Sequence, residues 1–218
     1  MLSVSAVITA AGKNSRMRED QIKRNIPLQN KLTLPFKSST VIETTIENVL
    51  NTKYIDECVI VLGHYSSEIL PLINNFDDER IKIIQNNPID VGLSVSLFNG
   101  LNNITSDIAL CVTADQPTVS STTFNNIIDT ILKSNNPNKT ISVLRRLKIG
   151  KLDTAEGLGM PFAANRLELM DYIKDKNDNL NPILREIFDD GFEFYGIKEN
   201  DSDELININY YSDYESLL

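Results

Sequence analysis

The sequence predicts an α/β protein built on a mainly parallel β-sheet that helices cover on both faces. Two observations carry this. Short Val- and Ile-rich runs of strand length recur along the chain, and segments with helical spacing of apolar residues lie between them, an alternation repeated four times through residue 144. The composition, 41% hydrophobic and 23% charged over 218 residues, is that of an ordinary globular chain with ample core, expected to form one domain over 1–218.

The elements follow in order. Strands are expected at 3–9, 58–62, Ile81–Gln85, 107–113 and Thr140–Leu144. Between them, residues 40–51 place Ile42, Ile46, Val49 and Leu50 on one helical face, and Thr40 with Glu43 has capping-box spacing. Leu93, Leu97 and Leu101 recur at four-residue steps, and Phe124, Ile127, Ile128, Ile131 and Leu132 form a second stripe, both read as core. Ligands of parallel sheets bind beyond the carboxyl ends of the strands, so functional residues are expected just after positions 9, 62, 85, 113 and 144. Residues 145–159 lose the periodicity and read as a mobile excursion over the site. Helices are expected again at 165–173 and 180–188, short strands at Glu193–Ile197 and 205–208, then a terminal helical turn.

Charge and composition exclude several functions. The net charge of −9 argues against nucleic acid as a partner, since phosphate neutralisation needs surplus Lys and Arg. No apolar stretch reaches the roughly 20 residues that span a bilayer, and the apolar start at 1–12 has no basic leader, so a cytoplasmic protein without a membrane partner is expected. Cys58 and Cys111 sit in separate apolar runs and read as buried thiols. With these and one histidine, His64, zinc chemistry is excluded, and His64 lacks a neighbouring nucleophile motif. Residues 1–37 break the acidic trend: Lys13, Arg16, Arg18, Lys23, Arg24, Lys31 and Lys37 against Glu19 and Asp20 give +5, leaving −14 for the rest. Such a segment is either a solvated loop or the place where an anion is handled.

Two strand ends carry the chemistry. The first runs into Ala10-Ala11-Gly12-Lys13-Asn14-Ser15-Arg16-Met17, whose small residues let backbone N–H groups approach a base or phosphate while Lys13 and Arg16 supply charged donors. This is neither a Walker loop nor the dinucleotide glycine pattern. The fourth ends at Asp115 in Ala114-Asp115-Gln116-Pro117. A carboxylate there is placed to hold a hard cation such as Mg²⁺ beside phosphates; the alternative is a turn aspartate, as Pro117 and Ser120 mark a turn. Lys31 and the alternating Asn207-Ile208-Asn209 are uninformative taken singly.

Together these segments resemble the MobA-like nucleoside-triphosphate transferases. The likeness runs in order through 10–17 (with Asn14 where the family has Ser), Lys31–Pro35 with Val41-Ile42-Glu43, Val61-Leu62-Gly63-His64, Gly92-Leu93-Ser94-Val95-Ser96-Leu97 with Gly100-Leu101, Ala114–Pro117, Gly159-Met160-Pro161-Phe162, and Asn207-Ile208-Asn209 with Asp213. Two departures stand out: extra residues between Arg16 and Lys31, and Tyr210-Tyr211 where Thr-Pro is common. The resemblance implies a Rossmann-like three-layer sandwich of the nucleotide-diphospho-sugar transferase type, with a nucleotide half at about 1–117 and an acceptor half at about 118–218. It implies that a phosphorylated acceptor attacks the α-phosphorus of an NTP and displaces pyrophosphate. Arg16 and Lys31 would stabilise the triphosphate, Asp115 and Asn209 would hold Mg²⁺, and Ala10, Ala11, Gly12, Lys13, Asn14, Ser94 and Ser96 would bind the nucleotide. Gly159 and Pro161 would face the acceptor.

The opening motif resembles the cytidylyl branch and the closing Asn-Ile-Asn the guanylyl branch; the opening lies where the base is read, so CTP is expected, with GTP the alternative. Molybdopterin is the first candidate acceptor. A sugar phosphate or alcohol phosphate is the second, and a non-catalytic nucleotide-binding protein is the reading from another class. Monomer and homodimer are both left open.

Overall fold

The structure, a computed structural model, describes residues 2–145 and 148–218. β1 (Val4–Ala10) leads to α1 (Ser15–Lys23), a small hairpin of β2 (Pro35–Phe36) and β3 (Ser39–Thr40), and α2 (Val41–Leu50). Then come β4 (Ile55–Leu62), α3 (Ser66–Ile73), β5 (Ile81–Gln85), α4 (Leu93–Leu101), β6 (Ile108–Thr113) and α5 (Ser121–Leu132). The remainder runs β7 (Thr140–Leu144), β8 (Gly150–Lys151), β9 (Phe162–Asn165), α6 (Arg166–Ile173), α7 (Leu180–Asp189), β10 (Glu193–Ile197) and α8 (Tyr211–Glu215).

Apart from the hairpin, the strands form one eight-stranded sheet in the order β5-β4-β1-β6-β9-β7-β10-β8. It is parallel except for β9, antiparallel to both β6 and β7, and β8, antiparallel to β10. Alternation along the strands divides the core in two. Ala6, Ile8 and Ala10 of β1 pack with Ile42, Ile46 and Val49 of α2 and Phe124, Ile127 and Ile131 of α5. Val7, between them in sequence, joins Leu97 and Leu101 of α4 and Ile183, Leu184 and Ile187 of α7 on the other face. The chain is therefore a Rossmann-like three-layer sandwich. Each buried Val, Leu, Ile or Phe side chain among these contributes about 1.5–3 kcal/mol to its cohesion. Cys58 lies in the first core and Cys111 in the second, with the sheet between them, and both thiols are free. Among the described residues no helix is long and apolar enough to cross a membrane.

Local signals account for the helix starts. Thr40, Ser120 and Asn165 cap α2, α5 and α6 by accepting the N–H groups of Glu43, Thr123 and Glu168. Gly100 lets α4 lie flush on the sheet, because a Cβ there would stand 2.3 Å from a Val7 methyl.

The structure departs from expectation in three places. α1 and α3 are helices that no apolar stripe announced: α1 buries only Met17 and Gln21, and α3 contains Pro71. β9 is a short, Ala-containing strand inserted against the parallel direction. Residues 205–208 are not a strand. Ser202–Leu205 forms a 3₁₀ turn, and the Ile208 N–H bonds to the Asp115 carbonyl at 3.1 Å rather than to a neighbouring strand. Within 145–159, residues 146 and 147 lie outside the described residues, whereas Gly150–Lys151 adds β8 to the sheet edge.

Candidate active site

The carboxyl ends of β1 and β6 meet in register, Thr9 opposite Thr113, and the loops leaving them line two cavities. The first, about 240 Å³, is walled by 9–12, Asn14, Asn30–Leu32 and, across the gap, Val91, Leu93 and Ser96. The second, about 600 Å³, is walled by 157–160, 179–181, Asn207 and Asn209. Arg16, Leu93, Thr113 and Asp115 line both, so the cavities join at a carboxylate and a guanidinium.

At the junction Lys31 Nζ lies 2.5 Å from Asp115 Oδ2 and donates to the Ile208 carbonyl at 2.7 Å. Both side chains are largely buried, at 17% and 14% exposure, so the pair is held in a medium that strengthens it. The other carboxylate oxygen, Asp115 Oδ1, is buried with no hydrogen-bond partner among the described residues. Arg16, in the first turn of α1, is exposed and forms no ion pair among the described residues.

The long connection from Arg16 to Lys31 is folded back on itself. Gln21, fully buried, exchanges side-chain bonds with both backbone groups of Gln29. Asn14 adopts φ 57°, a left-handed conformation that Asn tolerates, and its amide bonds to the Gln29 carbonyl and accepts the Lys31 N–H. Asn14 therefore lines the first cavity while tying its two walls together, a use that suits an amide in place of Ser.

On the far side, residues 200–209 are pinned by Glu204. Its buried carboxylate accepts from the Ser120 N–H, the Thr123 hydroxyl and the Asn200 N–H at 2.6–3.0 Å. Asp213 accepts the N–H groups of Asn209 and Tyr210, both at 2.8 Å, and fixes Asn209 at the cavity wall. Gln116, also fully buried, links three segments. Its oxygen accepts the Thr113 hydroxyl, and its amide donates to the Met160 carbonyl and to Asn207 Oδ1.

Of the residues singled out in the sequence, Ala10, Ala11, Gly12, Asn14, Arg16, Lys31, Ser96, Asp115, Asn209 and Gly159 line the cavities. Three stand elsewhere. Ser94 is completely buried, its hydroxyl donating to the Lys176 carbonyl and accepting the Asp178 N–H, so it holds the 176–178 turn instead of facing a nucleotide. Lys13 is 55% exposed at the rim and ion-paired at 2.7 Å to Asp90, whose carboxyl that hydrogen bond holds below its usual range. Pro161 accepts the Leu144 N–H and turns the chain into β9. Ser96 faces the first cavity, but its hydroxyl donates to the Gly92 carbonyl and accepts from Asn86, which leaves it little capacity to donate to a ligand. Sequence reasoning gave no role to Asn30, Gln116, Asn179, Asn181 or Asn207. The first two and Asn207 adjoin motif residues, a positional signal; Asn179 and Asn181 carried none.

A divalent cation fits this donor set. Asp115 offers a buried, unpartnered hard oxygen and Asn209 stands on the adjoining wall. Among the described residues no cluster of three or more His, Cys, Asp or Glu forms a dedicated metal cage. One carboxylate, neutral oxygens and ligand phosphates form the coordination typical of Mg²⁺.

Comparison with known proteins agrees with this geometry. A family model described as MobA-like NTP transferase domain matches residues 6–147. In sequence the chain is 31% identical over 122 residues to 2-C-methyl-D-erythritol 4-phosphate cytidylyltransferase of Tolumonas auensis, covering 55% of this chain and 47% of that protein. It is 27% identical over 127 residues to molybdenum cofactor cytidylyltransferase of Escherichia coli, covering 58% and 59%. The chain thus spans about half the length of these relatives. Among solved structures, a nucleotidyl transferase from Methanothermobacter thermautotroptrophicus superposes with TM-score 0.90 at 38% identity, over 99% of this chain and 95% of that one.

Proposed function

The chain belongs to the MobA-like NTP transferase family, and from that premise we propose that it is a cytoplasmic, divalent-metal-dependent cytidylyltransferase, monomer or homodimer, that moves CMP from CTP to a phosphorylated small molecule. The observation that carries the reading is the junction: a smaller and a larger cavity meet where Arg16, Lys31 and Asp115 converge. Reaction between two bound phosphates needs such a point of contact.

Residues through about 117 supply most of the nucleotide wall, and those from 118 most of the acceptor wall. In the reaction an acceptor phosphate oxygen forms a bond to the α-phosphorus while the bond to the β-phosphate oxygen breaks, releasing pyrophosphate. The protein has little covalent work to do here; it aligns the groups and neutralises charge. Arg16, which forms no ion pair among the described residues and lines both cavities, stabilises the departing pyrophosphate. Lys31 sets its ammonium at the junction, anchored by the Ile208 carbonyl. Backbone at 10–12, which lines the first cavity, receives the base. Asp115 and Asn209 would hold Mg²⁺, which when bound offsets the charge of the phosphates.

The names of both sequence relatives support CTP over GTP. For the acceptor, the 600 Å³ cavity lined by neutral amides supports a molybdopterin-type molecule, polar and bulky with one phosphate. The 31% identity to a methylerythritol-phosphate enzyme favours a second reading, an alcohol phosphate. Pyrophosphate release, measured with each NTP, Mg²⁺ or Mn²⁺, and molybdopterin, methylerythritol 4-phosphate or a sugar 1-phosphate, decides. Turnover with CTP and molybdopterin is expected. Turnover with another acceptor alone moves the assignment, and nucleotide binding without pyrophosphate from any acceptor refutes the transferase.

A further inference from the structure

Asn30 lies in the wall of the first cavity, one residue before Lys31, and is only 5% exposed. Its side-chain oxygen accepts the Leu32 N–H at 3.0 Å and caps the 3₁₀ turn Lys31–Thr33. That bond fixes the amide's orientation, since only the oxygen can accept an N–H. The nitrogen is consequently directed away from Leu32, and Asn30 Nδ2 is buried with no acceptor among the described residues. A buried donor without a partner is rare in folded proteins, because it has given up water for nothing. The nearby polar groups are committed: Asn14 bonds to Gln29 and Lys31, and Lys31 Nζ to Asp115 and Ile208.

We infer that Asn30 is a nucleotide-binding residue whose Nδ2–H donates to an acceptor atom of the bound nucleotide. A ligand acceptor in the cavity completes a donor that the described fold leaves unsatisfied, and the only such donor among the described residues that lines this cavity. The neutral amide also complements its neighbour: Lys31 supplies charge at the junction, and Asn30 supplies direction in the cavity behind it. The acceptor atom belongs to the base edge, the ribose or a phosphate, three sources of one chemistry that binding data separate.

The inference rests on the nucleotide reading of this cavity, and the test keeps the two apart. Calorimetric titrations of CTP, UTP, GTP and inorganic tripolyphosphate, each with Mg²⁺, are made on the wild-type protein and on Asn30→Ser. Serine keeps an oxygen for the Leu32 N–H but has no amide donor, so the melting temperature should hold while CTP affinity falls about tenfold, the cost of one unmade buried bond. A fall seen with CTP but not tripolyphosphate assigns the bond to the nucleoside, and an altered CTP-to-UTP or CTP-to-GTP ratio assigns it to the base. A fall shared by tripolyphosphate assigns it to a phosphate. Unchanged affinity of Asn30→Ser for every nucleotide that the wild-type protein binds overturns the inference alone. Absence of nucleotide binding by the wild-type protein overturns the functional reading as well.

Discussion

Gln116 offers the sharpest test of how the acceptor cavity is assembled. It sits beside Asp115, is fully buried, and its amide joins the end of β6 to the 157–161 loop and to the 205–209 segment through Thr113, Met160 and Asn207. Gln116→Met keeps the length and volume of the side chain while removing all three hydrogen bonds. At about 1 kcal/mol net for each neutral bond, the loss is about 3 kcal/mol. For a chain of this size each kcal/mol shifts the melting temperature by about 2–4 °C, so a fall of about 6–12 °C is expected by circular dichroism. The functional consequence is directional. Two of the segments cross-linked by Gln116 form the acceptor wall, whereas the first cavity, apart from the 113–115 strand end, draws on 9–16, 30–32 and 91–96. Steady-state kinetics should show a raised KM for the acceptor, with CTP affinity by calorimetry unchanged. A variant that melts with the wild type and keeps its acceptor KM would show that the bonds drawn to Gln116 do not organise the site. Equal losses for CTP and acceptor would show instead that the two cavities are not separately built.

Other perturbations follow from the same geometry. Asp115→Asn should abolish metal-dependent turnover and metal-induced thermal stabilisation while the protein stays folded; retained turnover with Mg²⁺ removes Asp115 from the metal. Arg16→Ala should weaken CTP binding far more than CMP binding in calorimetry, because the lost cation faces the outer phosphates, and an equal loss for both would place Arg16 elsewhere. Burial pushes the Cys58 thiol up to about 12 and raises Cys111 as well. The native protein then keeps these protons after the unfolded chain has released them, so stability should decline as the pH rises above about 8.5, by up to about 1.4 kcal/mol per pH unit for each thiol. Urea melts at pH 7, 9 and 10 of the wild type and of Cys58→Ala/Cys111→Ala check this, the double variant giving the shallower pH dependence.

What was legible in the sequence was whatever expresses itself as a period. Ile81–Gln85 and Thr140–Leu144 are strands at the expected bounds, and the stripes of α2, α4 and α5 are buried except for Leu93, which lines the cavities, and Leu132, which is half-buried. α1 was hidden because it buries one apolar side chain, Met17, and otherwise an amide: Gln21 is buried by bonding to Gln29, and no hydropathy pattern marks an amide as core. The 205–209 segment alternates like a strand, yet its N–H groups are taken by the Asp203 and Asp115 carbonyls and the Asp213 carboxylate, so it never enters a ladder. At the site, glycine, lysine and aspartate motifs located the walls but not the direction of individual groups. Ser94 and Ser96, two residues apart at the start of α4, have different environments. The first is turned into the 176–178 loop, and the second faces the cavity with its hydroxyl already bonded. Direction on a helix is set by tertiary packing, which spacing alone does not contain.

The surplus of bases in residues 1–37 divides, on folding, into two uses. Lys13 is matched by Asp90, and Arg24 grips Glu215 while stacking over Tyr211. Only Arg16 and Lys31 line the cavities. The outer charges serve the inner ones through α1. This helix presents Arg16 at its first turn, and through Asp20, which accepts the Tyr211 N–H, and Arg24 it holds α8. α8 begins next to Asn209, and its Asp213 fixes the Asn209 backbone. One short helix thus ties the guanidinium on one wall to the amide on the other. The extra residues between Arg16 and Lys31 and the tyrosines at 210–211, departures from the family pattern, are the material of that tie.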